Sequence, residues 1–183
     1  HGRTPAGVME RFHVKRGLMK QVSADGGLVK LAREHFEDVK TSGDGGFEGR
    51  FGILSLVSGE YGPDGTLLIE VQQMKGDELS DFLEQEDGRE QAMESRRRWS
   101  AFLDDATGYD SKKRSDKAKE FAKKQVKAMS GVKQARHFLG ISTRVTSEAR
   151  QEAEGYITEI EEALEAGDFT RAEGRAKKLG KLL

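Results

Sequence analysis

Cysteine is absent from the 183 residues of this sequence. This absence excludes disulfide bonds, thiolate metal sites and a cysteine nucleophile. No apolar run approaches the roughly 20 residues that a transmembrane helix needs, and no apolar leader precedes a small-residue cleavage site. We therefore expect a cytoplasmic protein without a membrane partner.

Patterns typical of catalytic or metal sites are also lacking. The three internal histidines are far apart in sequence and begin no metal-binding spacing: His13, His35 and His137. The glycine-rich string 43–49 lacks the ending of a phosphate-binding loop, so it favours a hairpin turn. Asp104 and Asp105 are neighbours that would point about 100° apart on a helix, which favours a solvated pair. We predict no enzyme activity, no metal and no cofactor.

The first half of the chain alternates between strand and helix patterns. Apolar residues on every second position predict strands, and apolar residues at three-and-four spacing predict a helix. The predicted elements are a strand at 12–18, a helix at about 27–37, a short strand from Val39, a strand at 47–57 and a strand at 66–72. We predict an α+β fold that begins with a β-α-β-β-β antiparallel sheet.

Helical patterns fill the second half of the chain. Residues 77–94 are rich in acids, and a helical stripe from Trp99 to Ala106 follows them. Thr146 or Ser147 can cap a helix, and the short break around Gly167 predicts an antiparallel helical hairpin. The segments are expected to be a flexible leader or non-native residues at 1–8, a sheet domain with a long acidic helix at 9–110, a basic helical segment at 111–140 and the hairpin at 141–183.

The opening strand, the element order and the string WSAFLDDATGYDSKKR at 99–114 together resemble an uncharacterised archaeal family. Members of that family look like a single repeat of the TATA-binding-protein fold. The resemblance covers roughly 9–124, and its most specific part lies at 102–114. The sequence differs from the family by the acidic insert before Trp99 and by the added hairpin. The resemblance implies the fold and an archaeal origin, and it supplies no functional residue.

In the TATA-binding fold the open face of the sheet grips a DNA minor groove. If helices cover the other face of this sheet, the open face is expected to present a leucine patch made of Leu54, Leu56 and Leu68. An exposed apolar patch of this kind predicts a covering helix or a second copy of the chain. A protein-interaction or self-assembly module, using this patch and the hairpin at 141–183, is therefore one functional hypothesis.

The strongest signal is the basic run at 112–137, where ten Lys or Arg stand against two acids although the formal net charge of the chain is −1. Sorted charge of this kind is typical of proteins that bind polyanions. The acidic residues 77–94 could equally neutralise this positive charge within the chain, so intramolecular neutralisation is an alternative to polyanion binding. The favoured hypothesis is sequence-independent contact with the phosphates of DNA or RNA, through Lys112, Lys113, Arg114, Lys117, Lys123, Lys124 and Lys127.

Overall fold

A computed structural model describes residues 8–183 of the chain. The described elements are β1 (Val8–His13), α1 (Leu18–Ala24), α2 (Gly27–His35), β2 (Glu37–Ser42), β3 (Gly46–Phe51), β4 (Leu54–Tyr61), β5 (Thr66–Gln73), α3 (Gly76–Glu84), α4 (Gly88–Thr107), α5 (Ser111–Ile141), α6 (Ser147–Ala166) and α7 (Phe169–Leu182). The predicted leader at 1–8 lies outside the described residues except for Val8, where β1 begins.

The chain forms two compact units. The sheet unit contains the described residues up to Ser115, and the helical unit comprises Asp116–Leu183. The boundary between them falls inside the sequence of α5. Each unit has its own cluster of buried apolar side chains. The domain boundaries predicted at 110 and 140 stay predictions.

The sheet unit is built on five antiparallel strands in the order β1-β5-β4-β3-β2. The predicted α+β class, with an N-terminal antiparallel sheet and a C-terminal helical pair, is confirmed. The strand predicted at 47–57 divides into β3 and β4, because the backbone reverses at Gly52 with φ +54°. The strand predicted at 12–18 ends at His13, and α1 begins at Leu18 after Gly17 with φ +88°. Left-handed backbone at glycine permits both turns.

One face of the sheet carries the core of this unit. Phe102 from α4 lies among the rings of Phe36 and Phe47, with ring centroids 5.1 and 5.2 Å away. Leu67 and Ile69 of β5 are buried on the same face, as their alternation predicted. These contacts fasten α4 onto the sheet together with α2, which contributes Leu28 and Ala32 to the same cluster.

The opposite face of the sheet differs from the predicted leucine patch. Leu54 is only 3% exposed and belongs to the core cluster, so the prediction that it lies on the open face as an interaction residue is wrong. The register of β4 shifts between Leu54 and Leu56, which indicates a bulge. Because a bulge inserts one residue, it returns Leu54 to the same face as the buried Val57. Leu56 and Leu68 are half-buried, and two such side chains form no large apolar patch.

Tyr61 joins β4 to the end of α4, and it makes the sheet unit sensitive to alkaline pH. Its hydroxyl donates to the carbonyl oxygen of Ala106 at 2.7 Å, and burial raises the pKa of Tyr61 to about 12. A raised pKa means that the folded state favours the neutral phenol. The stabilisation is therefore complete below the ordinary pKa of 10 and is lost as the pH rises through about 12.

We expect Tyr61→Phe to be about 1 kcal/mol less stable than the parent protein at pH 8, because the hydrogen bond is lost. That difference should shrink and then change sign between pH 10 and 12, since only the parent ionises at this position and a shift of two pKa units is worth about 2.7 kcal/mol. Urea unfolding followed by fluorescence of Trp99, the single tryptophan, measures both values. A difference that stays constant across this pH range would contradict the prediction.

The helical unit contains the predicted hairpin. The hydroxyl of Thr146 accepts from the backbone N–H of Ala149 at 3.1 Å, which caps α6. Gly167, with φ +78°, ends α6, and the Asp168 carboxylate caps α7 by accepting from Arg171 N at 3.1 Å. Side-chain caps and a left-handed glycine are the signals from which the hairpin was predicted, so this prediction is confirmed.

Helix α5 continues without interruption through Gly131. A Cβ atom at Gly131 would lie 3.1 Å from the Cβ of Ala176 on α7. Glycine therefore serves close helix packing at this position and does not end the helix. Ala128, Ala135 and Leu139 form the buried side of α5 in the core of the helical unit.

Candidate nucleic-acid interface

The basic run occupies one helix, which begins at a defined cap. The carboxylate of Asp110 accepts from the backbone N–H of Lys113 at 2.8 Å, which caps the helix. Successive residues on an α-helix point about 100° apart, so neighbouring cations face different directions. The seven predicted phosphate contacts are consequently spread around α5, and their surroundings differ.

Arg114 is not available to a phosphate. Its side chain is 8% exposed, and its guanidinium donates to the Asp104 carboxylate at 2.5 Å and to the Tyr109 carbonyl oxygen at 2.6 Å. The guanidinium thereby ties the start of α5 to the end of α4 within the sheet unit. Because these bonds occupy the guanidinium, the expectation that Arg114 presents its charge to solvent is wrong. Lys112 and Lys113, in the same turn, have exposed side chains.

Lys117 and Lys124 are arranged around one carboxylate. The Glu120 oxygens lie 3.4 Å from the Lys117 ammonium and 3.7 Å from that of Lys124. These ammonium groups, Lys117 above all, hold the pKa of the Glu120 carboxyl below its ordinary range. Lys124 also donates to the Thr170 hydroxyl at 3.1 Å and lies over the Phe121 ring. Both lysine side chains are only about a quarter exposed. They therefore contribute more to the structure around Glu120 than to the charge on the surface.

An open depression of about 420 Å³ lies beside these residues in the helical unit. Its lining consists of Asp116, Lys119, Glu120, Lys123, Lys124, Lys127 and Glu173. Lys119 and Lys123 have exposed side chains, and no carboxylate among the described residues lies within ion-pair distance of either. They are therefore the cations of this depression that can best meet a phosphate. Lys119 was not among the seven predicted contacts, although its spacing of four from Lys123 places it on the same side of the helix.

A second carboxylate connects the depression to α7. Glu173 is 16% exposed in its side chain, and its oxygens lie 3.8 Å from Lys127 and 3.7 Å from Lys177. Lys127 and Lys177 are each 69% exposed, so both ammonium groups remain accessible to solvent. Lys177 extends the cationic surface to a helix that the sequence assigned to the hairpin. The packing of α7 alongside α5 could not be read from local spacing, so this residue was missed.

The apolar residues of α5 point in an unexpected direction. Val126 and Met129, two of the larger apolar residues of the helix, are 65% and 54% exposed. Three small or aliphatic residues elsewhere on the helix, Ala128, Ala135 and Leu139, are buried in their place. The alanine-rich hairpin packs closely against small side chains of α5. The larger side chains Val126 and Met129 therefore remain exposed to solvent.

Residues 8–183 contain no group of three or more histidine or acidic residues with a geometry suited to a metal ion. In the same range, no helix has both the length and the apolar character needed to cross a membrane. Asp104, proposed above only as part of a solvated pair, is bonded to Arg114, and the Oδ2 atom of Asp105 lies 2.9 Å from the Nε2 atom of His35. These two aspartates thus have separate structural contacts.

A comparison with family models gives one match, described as Domain of unknown function (DUF5611), over residues 9–120. The matched range covers more than half of the chain and includes the sheet unit with the first part of α5. No curated protein and no solved structure gives a significant match. Most of the cationic depression and all of the hairpin therefore lie beyond the matched range.

Proposed function

This chain belongs to the family described as Domain of unknown function (DUF5611), and we propose that it is a non-enzymatic, nucleic-acid-associated protein that contacts phosphates without reading sequence. The observation that carries the proposal is the exposed, unpaired state of Lys119 and Lys123 among residues 8–183, at the edge of the depression on α5. Lys127 and Lys177 extend this positive surface.

The proposal includes the finer points of the family resemblance. The five-stranded antiparallel sheet supports a TATA-binding-protein-like single repeat, and the string at 99–114 is the basis for an archaeal origin. A cytoplasmic location is part of the same proposal. The sheet face opposite the core carries both signs of charge, including the ion pair Lys40 to Glu48 at 3.5 Å. Because that face is electrostatically mixed, we place phosphate binding on α5 and not on the sheet.

The rival function is a protein-interaction or self-assembly module, with a protein partner or a second copy of the chain in a homodimer. The observation that favours it is the exposure of Val126, Met129 and Ile141 along α5. The burial of Leu54 removes one residue from the sheet face that this function was expected to use. A protein that forms a salt-resistant oligomer and binds no nucleic acid at low salt would support the rival function.

We expect Lys119→Ala combined with Lys123→Ala to weaken binding to a 20-base-pair duplex about 10- to 30-fold at roughly 50 mM salt. The log–log salt slope should fall by about 2, since each phosphate contact contributes about 0.9. Fluorescence anisotropy across a potassium chloride series measures both quantities. Glu120→Gln should act in the opposite direction, because it removes a charge that neutralises Lys117 and Lys124.

The matched control is Lys20→Ala combined with Lys30→Ala, which removes two exposed lysines from α1 and α2. Both double variants lose two positive charges, so any difference between them reports the position of the charges. The control should lose little affinity if the phosphates bind to α5. An equal loss in both double variants would contradict a localised interface. Binding that ignores salt, or no binding to duplex DNA or RNA at about 50 mM salt, would overturn the proposed function.

A further inference from the structure

The exposed side of α5 in the helical unit carries an apolar stripe that the core does not use. It consists of Ala118, Ala122, Val126 and Met129, which follow one another at intervals of four, four and three residues. That spacing keeps all four on one side of a helix. Both alanines are exposed, as are Val126 and Met129. We call these four residues the outer stripe.

Lysines border the outer stripe. Lys119 and Lys123 each follow one of its alanines, and Lys133 lies four residues beyond Met129. None of these three lysines has a carboxylate within ion-pair distance among the described residues. Two copies of the chain packed stripe to stripe would bring these ammonium groups together, and like charges disfavour that pairing. The positive charge of this lysine border therefore favours an anionic ligand.

We propose that the outer stripe binds the minor groove of double-stranded RNA. The ribose groups contact the apolar side chains, and the phosphates contact Lys119, Lys123 and Lys133. This inference rests on the proposed function and names its ligand. The minor groove of A-form RNA is wide and shallow, displays ribose hydroxyls, and is recognised by shape and by phosphate contacts. The small alanines let the helix backbone approach such a surface, while Val126 and Met129 cover its C–H groups.

The grooves of B-form DNA suit this surface less well. An α-helix with its side chains is about 10–12 Å wide, whereas the DNA minor groove is about 6 Å wide. The DNA major groove admits a helix, but the bidentate pairs that read its base edges come from arginine, lysine, asparagine and glutamine. The outer stripe and its lysine border contain only apolar side chains and ammonium groups. Such a surface can recognise shape and charge, and lysine is its only side chain that can pair with a base edge.

The test compares the full chain with a double variant, Val126→Ser with Met129→Gln, on duplex RNA, duplex DNA and single-stranded RNA of matched sequence and length. We expect duplex RNA to bind most tightly and to keep measurable binding at roughly 300 mM salt, because its apolar contacts do not depend on counterion release. The double variant should lose about tenfold in affinity for duplex RNA at that salt, with an unchanged salt slope. Met93→Gln, at a methionine 58% exposed on α4, is the matched control and should bind as the parent does.

The outcomes separate this inference from the proposed function. Equal affinity for duplex RNA and duplex DNA, or a double variant that binds as the parent does, overturns the RNA assignment even if the lysine variants still weaken binding. Failure of every nucleic acid to bind removes both proposals. The double variant could instead lose a nuclease-resistant protein complex while its RNA binding stays unchanged. That outcome also overturns the RNA assignment, because it shows that the outer stripe binds a protein partner.

Discussion

Phe102→Ala is expected to destabilise the sheet unit by about 3–5 kcal/mol, the range for truncating a fully buried aromatic side chain. Phe102 is 0% exposed, and its ring contacts those of Phe36, Phe47 and His35. Alanine would leave a cavity where α4 meets the sheet. Since whole domains are stable by only about 5–15 kcal/mol, the variant should be partly unfolded at 37 °C.

Denaturant unfolding followed by Trp99 fluorescence measures this loss, because Trp99 packs against the same core cluster. Phe102→Leu should cost clearly less, since it retains most of the apolar volume. Met93→Ala, on the same helix but 58% exposed, should stay within about 0.5 kcal/mol of the parent. A loss below about 1 kcal/mol for Phe102→Ala would show that α4 does not complete this core.

Gly52→Ala should destabilise the sheet unit by about 3 kcal/mol, from two separate causes. Gly52 has φ +54°, a left-handed conformation that costs other residues about 1–2 kcal/mol. A Cβ atom there would also overlap the Ser95 hydroxyl oxygen. That hydroxyl is buried, accepts from Ile53 N at 3.1 Å and donates to the Gln91 carbonyl oxygen at 2.7 Å, so displacing it breaks the link between α4 and the β3–β4 turn.

Gly65→Ala separates the two causes. Gly65 has φ +78°, yet a Cβ atom there would meet nothing within 4 Å. We therefore expect it to cost only the backbone strain of about 1–2 kcal/mol. Ser95→Ala should reproduce the other part, the loss of the buried hydrogen bonds, at about 1–3 kcal/mol. If unfolding experiments find Gly52→Ala no worse than Gly65→Ala, the steric role of Ser95 is refuted.

Local signals predicted much of the fold. The alternation of apolar residues over 66–72 predicted β5, and the candidate cap at Thr146 or Ser147 marked the start of α6. These signals depend on neighbours within a few residues, so they can be read along the chain. The reversal at Gly52 was missed because a lone glycine inside an apolar strand pattern does not reveal the sign of its φ angle.

The candidate site was predicted only in part, for a related reason. Charge clustering located the basic helix, and Lys123 and Lys127 are exposed on it as expected. The clustering of charge could not show that the Arg114 guanidinium is bonded to Asp104 and Tyr109. Nor could it show that Lys177, far along the chain, shares the carboxylate of Glu173 with Lys127. Both facts depend on contacts between side chains of different segments, which the clustering of charge along the sequence does not reveal.

The sequence by itself determined the α+β class, the helical hairpin and the concentration of cations in α5, because periodicity, capping and net charge are local properties. Only the tertiary structure decided which side of α5 is buried. The hairpin packs on Ala128 and Ala135, beside the close contact of Gly131 with Ala176, and this leaves Val126 and Met129 in solvent. A helix with apolar residues on more than one side does not specify its packed face, and the shape of the neighbouring helices makes that choice.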